Sequence, residues 1–181
     1  MSFRVTGQFR PGYRRHDMST ITLYTADSCT ATGYREATHD EIMTAARNAL
    51  NHKVRRGTGL TSPRVTRDFL IARLAELPYE VFTLIYLDNH CRFIAAQDLF
   101  RGTVDSATVH PREVVKEALK HNAAKVILAH VHPSGIAEPS KADEYITDRV
   151  KQALALVDIK VLDHIIVAGG ETMSFAERGM I

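Results

Sequence analysis

The chain of 181 residues suits one domain with an appendage; it is 45% hydrophobic and 24% charged, the balance of an ordinary globular protein, and its formal net charge of +2 is too small to announce a nucleic-acid partner. No apolar run approaches the length of a membrane span, and the opening Met1-Ser-Phe-Arg-Val-Thr-Gly lacks the apolar core of a signal peptide, so a cytoplasmic location without membrane contact is expected. The two cysteines, Cys29 and Cys91, lie far apart and form no Cys-x-x-Cys pair, which argues against a disulfide framework and against a cysteine zinc cluster.

Residues 1–37 show no helical period. Within them residues 19–25 read as a short strand by their β-branched content, and the remainder as loop or extension. Thr38-His-Asp-Glu41 is a capping box, and Ile42, Ala45, Ala46, Ala49 and Leu50 recur behind it at helical spacing, so a helix runs to about His52. Lys53-Val-Arg-Arg-Gly-Thr-Gly59 reads as a basic linker, dividing an N-terminal extension (1–58) from a main domain (59–181). The extension carries nine Lys/Arg against five Asp/Glu, whereas the rest carries fourteen against sixteen. A basic segment attracts DNA through phosphate contacts but is more often a solvated surface, and both readings stay open.

Ser62-Pro63 is an N-cap followed by a proline at the first helical position, with Val65, Phe69, Ala72 and Leu74 facing inward until Pro78 ends the helix. Residues 80–88 form a strand, Asn89-His90 a turn, and residues 91–100 its antiparallel partner. Residues 101–109 suit a further short strand. Pro111 opens a helix through about His121 that buries Val114, Val115, Ala118 and Leu119. An apolar run, 123–129, is a buried strand leading into His130-Val-His132. A helix from Lys141 to about Val157, a strand over 160–167, a Gly169-Gly170 turn and a strand over 171–175 complete the chain. A hairpin ahead of two helix-linked strands predicts an α/β fold with a mixed β-sheet flanked by helices.

The chemistry gathers at one point. Side chains two apart on a strand share a face, so His130 and His132 converge, and Pro133-Ser-Gly135 turns the chain just beyond them. Ser140 reads as the N-cap of the next helix, which places Asp143 in its first turn and lets the carboxylate swing back beside the histidines. Two imidazoles, one carboxylate and room for a water make up a catalytic zinc site with an open position. The same residues also suit a metal-free reading: His-x-His pairs are often structural, and the helix macrodipole alone favours an acidic first turn. His16, His39, His52, His90, His110 and His121 show no ligand spacing and are expected at the surface.

His-x-His, seven residues, Ser, two residues, Asp is similar to the pattern of the JAMM (MPN+, or JAB) metallopeptidases, and His130 to Asp143 fits it without a gap. The words His130-Val-His-Pro-Ser-Gly, Val161-Leu-Asp-His-Ile-Ile-Val, His110-Pro-Arg-Glu and Ser174-Phe-Ala-Glu-Arg-Gly resemble the RadC branch of that family, over roughly Leu60 to Ile181. The resemblance implies an MPN/JAB domain of cytidine-deaminase-like architecture. It also implies a zinc-dependent hydrolase of a peptide or isopeptide substrate, with Zn2+ held by His130, His132 and Asp143. Its general base is Glu80, where the family's motif places its glutamate; Glu138 and Glu113 are rivals on proximity. Ser140 would donate to the oxyanion of the tetrahedral intermediate in addition to capping the helix. His164 and Asp163 belong to a shared word but receive no chemistry, and a satisfied core histidine is the expectation for His164.

Two other classes compete. Members of the branch are customarily called DNA repair proteins, yet residues 1–58 do not resemble the helix-hairpin-helix-like region of full-length RadC proteins. One mononuclear site also lacks the paired metals that many nucleases use. An idle scaffold is opposed by the intact set His130, His132, Asp143 and Ser140.

Overall fold

The computed structural model describes residues 3–6, 22–26, 34–54, 56–60, 62–102 and 109–181. The chain divides into two compact units, Met1–Ala49 and Leu50–Ile181. In the first, β1 (Phe3–Thr6), β2 (Thr22–Ala26) and β3 (Tyr34–Glu36) pair antiparallel in that order. β2 falls on the expected strand. β1 and β3 replace backbone expected to be loop or extension, because strands this short hold too few residues per face to show alternation, and their pairing comes from the ladder. Helix α1 (His39–Lys53) starts at the capping box: Glu41 N–H donates to Thr38 Oγ1 at 3.3 Å, and Thr38 N–H to Glu41 Oε2 at 2.9 Å. The Arg35 guanidinium from β3 grips the same carboxylate at 2.7 and 2.9 Å, and this grip, with the Thr38 N–H, pulls the Glu41 pKa down to about 2.

The second unit is built from α2 (Pro63–Leu74), β4 (Val81–Leu87), β5 (Phe93–Arg101), α3 (Pro111–Lys120), β6 (Lys125–Val131), α4 (Lys141–Ala155), β7 (Lys160–Ala168) and β8 (Glu171–Ser174). Its sheet runs β5-β4-β6-β7-β8; β6 and β7 are parallel and every other neighbouring pair is antiparallel. β4 is buried along its whole length, which fits its mostly apolar sequence; the one polar residue, Thr83, donates to Asp98 Oδ1 at 2.8 Å. Its Val81, Ile85 and Leu87 pack with Ile127, Ala129 and Val131 of β6 against Phe69, Leu70 and Leu74 of α2. On the opposite face Phe82, Leu84 and Tyr86 join Val126 and Leu128 against Val114 and Ala118 of α3 and Val150 and Leu154 of α4. The even-numbered residues of β6 therefore look toward α3 and α4, and that alternation aims His130 at the start of α4.

Some local expectations shift. The β4–β5 turn is longer than Asn89-His90, because Asp88 Oδ1 collects the N–H groups of His90 and Arg92 at 2.8 and 2.9 Å and Cys91 adopts a left-handed φ of 57°. Residues 57–60 do not dangle as a linker. Gly57 and Leu60 donate to the carbonyls of Phe93 and Cys91 at 2.8 and 2.9 Å, Phe93 donates to Thr58 at 2.7 Å, and Val54 is buried in the core. Leu119 is 54% exposed, since α3 buries the Val114–Ala118 stripe and Leu119 lies a further step round the helix. His121 is half-buried, its ring stacked on Tyr86 at 4.2 Å, whereas His39, His90 and His110 are exposed as expected. The side chains of His16 and His52, and most of the strand expected over 101–109, lie outside the described residues. Among the described residues no helix is long and apolar enough to cross a membrane.

Candidate metal centre

β6 ends at Val131, but His132 N–H still donates to Val167 O of β7 at 2.8 Å, so the pleat carries on through His132 and keeps both imidazoles on one face. Pro133 has no N–H to extend the ladder, and Gly135, at φ 78°, turns the chain with its N–H on His132 O at 3.1 Å. The chain re-enters helix at Ser140, where a capping box forms. Asp143 N–H donates to Ser140 Oγ at 3.1 Å, while Asp143 Oδ2 accepts from Ser140 N–H at 2.7 Å and from its hydroxyl at 2.6 Å. The cap thereby fixes Asp143 in space. Its Oδ1 lies 3.2 Å from His130 Nε2, its Oδ2 3.5 Å from His132 Nε2, and the two Nε2 atoms are 2.7 Å apart.

The ligand atoms of His130, His132 and Asp143 all lie within 4.8 Å of one another. In a tetrahedral zinc site with bonds of about 2.0–2.1 Å, ligand atoms are about 3.3 Å apart. Two of the three separations are close to that, and the imidazole pair is tighter. Imidazole, imidazole and carboxylate are donors that suit borderline-soft zinc. The electrostatics agree. Burial opposes ionisation of Asp143, yet the imidazoles of His130 and His132 beside it and the hydrogen bonds from Ser140 hold the carboxyl well below the usual carboxylate range. The neighbouring Asp143 carboxylate raises the His132 pKa against the opposing effect of burial. The cluster attracts positive charge to the space between its three members.

These residues line a cleft of about 500 Å³ together with Glu80, Ser134, Ser140 and the apolar Val81, Phe82, Val109 and Ile146. Glu80 sits immediately before β4 and contributes to the raised pKa of His132. Its two rivals are elsewhere. Glu138 is held by Arg178 at 2.6 and 2.8 Å, Glu113 faces Lys116 at 3.2 Å, and neither lines the cleft.

Three residues had no assigned part in the site. His164 Nε2 is 2.8 Å from His130 Nδ1, and its Nδ1 is 2.6 Å from Thr147 Oγ1. Asp163 takes the N–H groups of His164 and Ala176 on Oδ1 and the Ser174 hydroxyl on Oδ2, which ties the segment after β8 back onto β7. A Thr four residues after Asp143 on the same helix was the available signal for Thr147. His164 is placed by the β6–β7 register, with a bulge at Val126/Ile127, and no local pattern specifies it.

A mixed five-stranded sheet presenting His-x-His from its parallel pair to an aspartate on the crossover helix is the arrangement of a JAB/MPN-type domain. The chain belongs to the RadC-like JAB domain family, whose model matches residues 60–180. It is 56% identical over 156 residues to a UPF0758 protein of Nitrosococcus oceani, a match covering 84% of this chain and 70% of that protein. It is 58% identical over 140 residues to a UPF0758 protein of Thioalkalivibrio sulfidiphilus, covering 77% and 62%, and 53% identical over 156 residues to one of Aeromonas hydrophila, covering 84% and 70%. The matched segment thus spans about two thirds of these relatives' length.

Proposed function

We propose that the chain is a zinc-dependent hydrolase of amide bonds, acting on a peptide or isopeptide substrate. The observation that supports this best is the convergence of His130, His132, Asp143 and Glu80 on one cleft. His130 Nε2, His132 Nε2 and an Asp143 carboxylate oxygen would hold the ion, with one position left open. Zinc bound there supplies Lewis acidity toward a substrate carbonyl and a water acidified to a pKa of about 7. Glu80 takes the proton of the attacking water and returns it to the leaving nitrogen, so one residue serves as base and then acid. Ser140 stands at the rim of the same cleft. Its Oγ caps α4 by accepting from Asp143 N–H, and in this reading its one proton turns from Asp143 Oδ2 to the developing oxyanion. The apolar wall of Val81, Phe82, Val109 and Ile146 seats substrate beside these groups and excludes water.

A nuclease reading has less support, because among the described residues one group of three suitable ligands is found and no second group for the paired metals that many nucleases use. A scaffold that has lost catalysis does not account for a complete ligand set with a carboxylate beside it. Elemental analysis of the purified chain tests the metal: one zinc per chain is expected, lost in His132→Ala. Equal zinc in both proteins would sink the ligand assignment. Incubating the zinc-loaded chain with peptide and isopeptide libraries tests the reaction, with cleavage expected and abolished by a chelator.

A further inference from the structure

The hydrogen bonds behind His130 permit a count of protons. Thr147 Oγ1 lies 2.5 Å from the backbone carbonyl oxygen of Asp143 and 2.6 Å from His164 Nδ1. A carbonyl oxygen only accepts and a hydroxyl has one proton, so that proton goes to Asp143 and the hydroxyl must accept from His164. His164 therefore bears a proton on Nδ1. Its ring is fully buried, stacked on Phe175 at 4.7 Å and edge-on to Phe82 at 5.6 Å, and its two ring nitrogens meet only Thr147 and His130, with no carboxylate on either. A charged ring has no counter-ion there, so the ring is neutral and His164 Nε2 is a lone pair. That lone pair lies 2.8 Å from His130 Nδ1, so His130 donates from Nδ1 and keeps its own lone pair on Nε2, the atom facing His132 and Asp143. His132 is set from the other side. Its Nδ1 lies 2.9 Å from the Ile136 carbonyl, which can only accept, and this leaves its Nε2 for the same cluster.

We propose that His164 and Thr147 are positioning residues that lock His130 in the Nδ1–H tautomer and present its Nε2 lone pair to a divalent transition metal. Resting on the metal reading above, this gives the pair a defined task. The relay closes a circuit: Asp143 touches His130 across the site through its carboxylate and behind it through its backbone carbonyl, Thr147 and His164. Two ligands on different elements, β6 and α4, are thereby oriented together, and a change in the hydroxyl of Thr147 is transmitted to His130 without altering any ligand side chain.

The test uses the full chain and reads the ring nitrogens of His130 and His164 by 15N NMR, beside zinc affinity by chelator competition. In the wild type both rings are expected to be protonated on Nδ1; a proton on His164 Nε2 overturns the proposal without any variant. Thr147→Val keeps the shape of the side chain but removes the hydroxyl, and is expected to mix the His130 tautomers and weaken zinc binding by about 10–100-fold. Thr147→Ser restores the hydroxyl and should restore both readouts. A Thr147→Val protein with wild-type zinc affinity and an unchanged His130 tautomer also overturns the proposal. If the wild type takes up no zinc, the metal reading fails by itself, and the nitrogen shifts still judge the relay.

Discussion

Ser140 provides the sharpest separation of structural from chemical duty, because its two hydrogen bonds to Asp143 point in opposite directions. Its Oγ accepts from Asp143 N–H at 3.1 Å, and its hydroxyl donates to Asp143 Oδ2 at 2.6 Å. Ser140→Ala removes both bonds but leaves the Ser140 backbone N–H on Oδ2 at 2.7 Å. Losing a serine N-cap costs typically ~1 kcal/mol, and the lost bond to the carboxylate brings the total to about 1–2 kcal/mol. At roughly 2–4 °C per kcal/mol for a chain of this size, the metal-free protein should melt a few degrees lower. Zinc affinity should fall about tenfold, since Asp143 would be oriented by a single backbone donor. Ser140→Asn preserves a capping oxygen and should recover most of the melting temperature. Thermal unfolding followed by circular dichroism in the presence of chelator makes the comparison. An alanine variant that melts with the wild type, or an asparagine variant as damaged as alanine, would refute the reasoning. If the asparagine variant is stable and zinc-loaded but slow on substrate, the shortfall measures the oxyanion donor alone.

Asp143→Asn should weaken zinc binding steeply, because a neutral amide is a poor partner for a dication; chelator competition that finds wild-type affinity would remove Asp143 from the ligand set. A fragment beginning at Leu50 should fold cooperatively and bind zinc, whereas one beginning at Gly59 loses buried Val54 and the Thr58 carbonyl that accepts from Phe93, and should be the less stable by about 2 kcal/mol in urea unfolding. Equal midpoints for the two fragments would place the boundary at residue 59 after all. The Arg35–Glu41 pair lowers the Glu41 pKa to about 2, so its contribution is present above the unfolded value near 4.5 and is lost as pH falls toward 2. An NMR titration of Glu41 should show the low midpoint, and Arg35→Ala should raise it toward the ordinary range, the Thr38 N–H still holding it somewhat below.

Much of the site was legible because its determinants are local. The pleat aims His130 and His132 together, and Ser140 as N-cap with Asp143 in the first turn is readable from four residues of sequence. The apolar run ahead of His130 announced a buried strand, and the structure buries β6; β4, read from the sequence as a strand, is buried as well. What escaped the sequence is long-range. His164 reaches His130 through the register of a parallel pair with a bulge at Val126/Ile127, and Thr147 reads as any polar helix residue until that register is known. Residues 57–60 look like linker by their glycines, yet their carbonyls and N–H groups pair with the β5 edge. β1 and β3 are too short for alternation to betray them. The choice of Glu80 rests on resemblance; of Glu80, Glu138 and Glu113, Glu80 alone lines the cleft.

Under the proposed function, Glu80 moves the proton in metal-assisted hydrolysis within this cleft. Glu80→Gln keeps the size and hydrogen-bonding capacity of the side chain but cannot accept that proton. The variant protein should keep wild-type zinc content and melting temperature while its turnover of a peptide or isopeptide substrate falls by about 10²–10⁴-fold. A variant that keeps its zinc and cleaves at the wild-type rate would contradict the account, and one that loses zinc would make Glu80 a ligand instead of a base.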